Sequence, residues 1–147
     1  ISDIGERGES LHANDRYDLV QGWMALKFGE WLDPGGKVGR AALSPIEQDY
    51  KGLAPIYLQA GGREILRDMI RDFAAVQVNR GADVVLDLWP DMPHDFQAFD
   101  SDRVSSVAAL ARICEAVSCY VDQQGCFSPG KNSVLPASVP APRSVSK

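Results

Sequence analysis

The sequence predicts an α/β fold, and three observations carry that prediction. Residues 56–60 and Val84–Trp89 are short, largely apolar runs, of the kind that form parallel strands covered by helices on both faces. Between them Leu66, Met69, Ile70, Phe73, Ala74 and Gln77 recur at spacings of three and four, which places them on one face of a helix. Turn residues mark the joints: Gly61-Gly62 after the first run, Asn79-Arg80-Gly81 after the helix, and Pro90 with Pro93 after the second run. Strand, helix and strand of this length form a right-handed βαβ unit with both strands in one parallel sheet.

The flanking elements follow in chain order. Residues 1–11, with Gly5 and Gly8 among Glu6, Arg7 and Glu9, read as a loop leading into a helix. Ile1-Ser2-Asp3 resembles the end of a strand entering that loop, so the chain is expected to begin inside a fold, as a fragment. Asp18 is the expected N-cap of a helix carrying Leu19, Trp23, Leu26, Phe28, Trp31 and Leu32, closed by Asp33-Pro34-Gly35-Gly36. Its aromatic face is expected to pack on the core in preference to lining an acyl pocket. Residues 33–54 are a Gly- and Pro-bearing connection anchored by Leu43-Ser44-Pro45. In the helix of the βαβ unit, Arg67, Asp68, Arg71 and Asp72 are expected to face solvent. Ser101 and Asp102 are expected to cap a last helix that lays Val104, Val107, Ala108, Ala111, Cys114, Val117 and Val121 across the sheet. From Gln123 the composition turns to Ser, Pro, Gly and Lys, as in a disordered tail. The expected organisation is therefore one domain over residues 1–122 and a tail over 123–147.

Composition narrows the classes of function. A hydrophobic share of 45% and a charged share of 24% over 147 residues suit an ordinary globular domain. The formal charge of −5 argues against nucleic acid or an anionic membrane as the main partner. No apolar run is expected to reach the roughly 18 residues that cross a bilayer, and no signal-peptide pattern opens the chain. A cytoplasmic location is the default that follows. Cys114, Cys119 and Cys126 lack metal-ligand spacing, so no metal or cofactor is expected.

The candidate chemistry lies where the two strands end. Glu64 follows the first and His94 the second, and in a parallel pair those positions share one sheet edge. A serine hydroxyl becomes a useful nucleophile only when an imidazole takes its proton, and that imidazole needs a carboxylate to fix its tautomer. An acid and then a histidine, from successive strand ends, are the last two members of the nucleophile, acid and histidine order of α/β-hydrolases. Glu64 also has a plainer reading as a helix N-terminal glutamate, and Asp68 is the competing acid, one helical turn further on.

Ala60-Gly61-Gly62-Arg63-Glu64-Ile65-Leu66-Arg67-Asp68 followed by Pro90-Asp91-Met92-Pro93-His94-Asp95-Phe96 resembles the C-terminal half of the hormone-sensitive-lipase-like family of α/β-hydrolase esterases. Gly8-Glu9-Ser10 with Asn14 resembles the loop after that family's sixth strand, and Leu43-Ser44-Pro45 the segment before its seventh, so the likeness runs from residue 1 to about 122. The resemblance implies the C-terminal portion of an α/β-hydrolase fold, parallel strands with flanking helices. It implies His94 as catalytic base, Glu64 as its orienting acid, and a small-molecule ester as substrate; a homo-oligomer is compatible with it. In the family the acid is often aspartate and the histidine is typically followed by Gly-Phe, whereas here Asp95 precedes Phe96. The family's His-Gly-Gly and Gly-x-Ser-x-Gly motifs occur nowhere in these 147 residues. The chain alone is therefore expected to be inactive, its serine and oxyanion hole lying in an upstream portion. The alternative is a truncated hydrolase-like module used for binding. Nucleotide binding is disfavoured, because Gly61-Gly62 lacks the dinucleotide spacing.

Overall fold

The computed structural model describes residues 2–99 and 103–121, and the βαβ unit is its centre. In order the elements are α1 (Ser10–Ala13), α2 (Gly22–Leu32), α3 (Arg40–Leu43), a 3-10 turn (Pro45–Glu47), β1 (Ile56–Gly61), α4 (Arg67–Asn79), β2 (Val84–Trp89), α5 (Phe96–Phe99) and α6 (Val104–Val121). β1 and β2 pair in parallel from Ile56 opposite Val84 to Gly61 opposite Trp89. The tail expected over 123–147 and the caps Ser101 and Asp102 lie outside the described residues.

The period-two alternation of the strands divides the core into two layers. Leu58, Ala60, Val84 and Leu86 face Ala74 of α4, while Tyr57 and Val85 face Ala116 and Cys119 of α6. A third cluster of Leu11, Ala25, Ile65, Leu66 and Met69 joins the N-terminal segment to the start of α4. Leu11, Ile65 and Met69 are fully buried, each stabilising the fold by roughly 1.5–3 kcal/mol. In α4 the expected stripe is the buried one, Gln77 included: its amide donates to the carbonyls of Ile46 and Gln48 at 3.2 and 3.0 Å. Gly81 ends the helix with φ +90°, a left-handed position that glycine takes without a Cβ penalty. Asp3 ties the start of the chain down. Its buried carboxylate accepts from Arg7, Arg40, Ser44 and the Gly5 amide at 2.6–3.1 Å.

Four expectations need correction. Asp18 does not cap α2, whose N-cap is Gln21. The buried residues of α2 are Gly22, Ala25 and Gly29, while Trp23 and Trp31 are 62% and 63% exposed and Phe28 and Leu32 are also exposed. The cause is backbone approach: a Cβ at Gly22 would lie 2.3 Å from the Leu11 carbonyl oxygen, and one at Gly29 would lie 2.1 Å from that of Ile4. Only the small-residue face can come that close.

Small residues are also the buried ones of α6. It packs through Ser106, Ala109 and Ala116, and of the expected face Val104, Val107, Ala111, Cys114, Val117 and Val121 are exposed. Periodicity favours the face with the larger apolar residues, whereas Arg112 marks a side turned toward the sheet. Its guanidinium reaches the fully buried Asp87 at 3.1 Å, and breaking such a pair leaves an uncompensated charge at a cost of about 3–5 kcal/mol. The length and hydropathy of α6 also correct the expectation about membrane-length runs. By length and composition Val104–Val121 could cross a bilayer, a description that packed helices of globular folds also meet.

Candidate active site

The site is built at the C-terminal ends of β1 and β2, and close backbone approach is what assembles it. A Cβ at Gly61 would stand 2.2 Å from the Met92 carbonyl oxygen and 2.5 Å from that of Pro93; one at Gly62 would stand 2.2 Å from that of Pro90. Neither glycine has positive φ. They are required because the Pro90-to-Pro93 turn lies directly on them, and not, as the sequence suggested, to turn the chain sharply. Gly62 N–H donates to Trp89 O at 2.7 Å and Arg63 N–H to Met92 O at 3.0 Å, sealing one turn onto the other.

This seal brings Glu64 and His94 together. Glu64 is buried, its side chain 4% exposed, and its Oε2 lies 3.8 Å from His94 Nδ1. That distance is an ion-pair contact and longer than a hydrogen bond. Oε2 also accepts from Gly61 N–H at 3.0 Å, while the buried Oε1 accepts no hydrogen bond from any described residue. Such apo contacts commonly tighten when a substrate arrives. His94 is 26% exposed, and its other nitrogen, Nε2, lies 3.4 Å from Asp95 Oδ2. Asp95 holds this position with φ +51°, a left-handed conformation for which aspartate is among the more tolerant residues.

Carboxylates therefore face both ring nitrogens. They raise the pKa of His94 above its ordinary value, Glu64 contributing most and Asp95 and Asp18 adding to it against the opposing effect of partial burial.

Asp68, the competing acid, is committed elsewhere and does not face open solvent. Its Oδ2 accepts from Ser10 N–H at 2.9 Å, its own N–H donates to Ser10 Oγ at 3.0 Å, and Arg67 covers Oδ1 at 2.8 Å. Two further residues that sequence reasoning missed hold the acid turn. Asn14 donates to the carbonyls of Glu64 and Gly62 at 2.9 and 3.3 Å. Asp18 accepts from Ile65 N–H at 2.6 Å and from His94 N–H at 3.0 Å. The signal was present in the sequence as Ser10, Asn14 and Asp18, polar residues recurring every fourth position in a segment read as loop and helix cap.

Comparison with known proteins bears on the family and the fold. The pattern of the alpha/beta hydrolase fold family matches residues 3–98. A curated esterase of Acinetobacter venetianus is 30% identical over 115 residues, covering 77% of this chain and 38% of that protein. Among solved structures, an esterase of the bacterial hormone-sensitive lipase family superposes with TM-score 0.74 at 30% identity, covering 82% of this chain and 41% of its own. A hormone-sensitive lipase from a metagenome library gives 0.70 at 25% identity, covering 78% and 40%. The chain thus spans about two-fifths of the length of the relatives it matches. On this match and these neighbours, the chain belongs to the alpha/beta hydrolase fold family, among its hormone-sensitive-lipase-like esterases.

Proposed function

We propose that this chain supplies the acid and the histidine of a serine carboxylesterase triad, with the nucleophilic serine and the oxyanion hole contributed by polypeptide outside these 147 residues. The observation that carries the reading is the buried Glu64 carboxylate facing His94 Nδ1 across the ends of two parallel strands. With Nδ1 directed to Glu64, Nε2 is the nitrogen that meets the nucleophile. It takes the serine proton as Oγ attacks the ester carbonyl and returns that proton to the departing alcohol; the acyl-enzyme is then opened by water through the same nitrogen. Glu64 stays ionised throughout and stabilises the imidazolium. Asp95 Oδ2 must yield its place at Nε2 for the serine to approach.

Two features support a chain that works as part of a larger body. The sheet among the described residues has two strands, which leaves strand edges free to pair. Large apolar side chains on α2 and α6 stand exposed, as surfaces meant to be covered often do.

The test is hydrolysis of a short-chain p-nitrophenyl ester by the 147-residue chain and by the same chain extended upstream along its reading frame, each with and without His94→Ala. The chain alone should show no turnover. The extended form should turn over and lose about 10³-fold or more with His94→Ala. Full turnover in extended His94→Ala overturns the assignment.

A further inference from the structure

The carboxylate of Asp18 sits between the two turns of the site and bonds to both. Its Oδ2 accepts from the N–H of Ile65, the residue after Glu64, at 2.6 Å; its Oδ1 accepts from the N–H of His94 at 3.0 Å and of Leu19 at 2.7 Å. These bonds reach across 47 and 76 residues of sequence, so the contact is tertiary and not a local turn. The turns already meet through Gly62 and Arg63 on the sheet side. Asp18 adds a point of attachment from outside the βαβ unit, one peptide from Glu64 and at His94 itself.

We propose that Asp18 is a positioning residue for the Glu64–His94 pair, its single carboxylate fixing how far apart the acid turn and the histidine turn stand. The proposal rests on the triad reading above. Three N–H donors converge on two oxygens, which is a task for an anion. An asparagine offers one acceptor oxygen and an NH2 group, so one donor would be left facing another donor, and a buried or half-buried amide without an acceptor is costly. Catalytic groups must be held within about 0.5 Å of productive geometry by partners that are themselves fixed. A carboxylate bonded to the backbone on both sides meets that need more rigidly than a side-chain contact would. Glu64, Asp95 and Asp18 are the charged groups that act on His94, and only Asp18 also binds the backbone of both turns.

The experiment is an NMR titration of the 147-residue chain. In the wild-type protein the amide protons of Ile65 and His94 should be protected from solvent exchange to a similar degree, since one carboxylate holds both. In Asp18→Asn the Ile65 amide should exchange with solvent at least about tenfold faster, and the His94 ring midpoint should move down. Asp15→Asn is the matched control. Asp15 bonds the Gly22 N–H at 2.6 Å in the same loop, so its loss should speed exchange at Gly22 and leave the His94 midpoint in place. Two results overturn the proposal: Ile65 or His94 amides that exchange as freely as unbonded ones in the wild type, or a folded Asp18→Asn whose His94 midpoint is unchanged. The wild-type arm decides the matter if Asp18→Asn does not fold. Glu64→Gln separates the two claims. If it leaves the His94 midpoint unmoved, the triad reading fails; if it lowers the midpoint while Asp18→Asn does not, Asp18 alone is excluded.

Discussion

Replacing Gly61 with alanine tests whether backbone approach assembles the site. The new Cβ would lie 2.2 Å from Met92 O, 2.5 Å from Pro93 O and 2.8 Å from Met92 C, all of them backbone atoms that no rotamer change can move aside. A carbon and a carbonyl oxygen settle at about 3.3 Å or more, so the Pro90-to-Pro93 turn must retreat by roughly 1 Å. That retreat stretches the Arg63 N–H to Met92 O bond, now 3.0 Å, beyond hydrogen-bond range. Overpacking costs about 1–3 kcal/mol and the lost bond about 1 kcal/mol more, for a total near 2–4 kcal/mol. In a domain of this size such a loss lowers Tm by roughly 5–15 °C. The turn carries His94 away from Glu64 as it moves, so the pKa of His94 should fall back toward its ordinary value of 6.5. Thermal unfolding reads the first effect and ring-proton NMR the second. Gly36→Ala is the control: Gly36 has φ +65° with nothing nearby, so alanine there should cost about 1–2 kcal/mol in backbone strain and leave His94 untouched. A Gly61→Ala protein with wild-type Tm and an unchanged His94 midpoint would refute the close-approach argument.

Other perturbations probe the electrostatics and the corrected packing. Asp95→Asn keeps a side chain that tolerates positive φ and removes the charge at Nε2, so the His94 midpoint should drop. The His94 pKa is raised in the fold, so the stabilisation from its carboxylates is fully present below pH 6.5 and fades as pH rises through the folded value. Asp95→Asn should accordingly be less stable than wild type in acid and equal to it well above that value, as urea unfolding across pH would show; equal stability at every pH would count against the contact. Asp3→Asn removes the anion shared by Arg7 and Arg40 and should cost about 1–3 kcal/mol. Burial pushes the Asp3 pKa up, but Arg40, the Gly5 amide and Arg7 together hold it well below the usual carboxylate range. Its contribution should thus persist above pH 3.8 and be lost only as pH falls through that depressed value. On α6, Ala109→Leu on the buried face should cost about 1–3 kcal/mol, whereas Val107→Ser on the exposed face should change stability by less than about 0.5 kcal/mol; the reverse order in chemical denaturation would restore the face that periodicity favoured.

The central unit was legible because its signals are local. Val84–Trp89 and the stripe from Leu66 to Gln77 announce themselves by period, and Glu64 and His94 stand out because strand ends in a parallel pair converge. The outer helices were misread for a single physical reason. Periodicity finds where large apolar residues line up and assigns that face to the core, but α2 comes so close to its neighbours that only Gly22 and Gly29 fit, and α6 turns Ser106, Ala109 and Ala116 inward. Asp87 and Arg112 could have signalled the inner face of α6, Asp87 being the one charge in an apolar strand and Arg112 an opposite charge on the helix that covers it. Asp18 was misread because an aspartate just before an apolar stripe is the ordinary mark of a helix start. Its actual partners, Ile65 and His94, are visible only once the chain is folded.

The reach of the Asp18 bond gives His94 a second use, as a reporter of folding. Forming β1, α4 and β2 needs only contacts inside one stretch of sequence, whereas fastening the histidine turn to Asp18 closes a loop of 76 residues, an entropic cost that shorter-range structure does not carry. A partly folded chain could own the sheet, the helix and with them the Glu64 contact, and still hold an imidazole whose midpoint lies below that of the finished site. The ring midpoint therefore distinguishes a finished site from a merely structured chain, and a protease cut placed between Asp18 and Gly22 would register there before it disturbed the secondary structure.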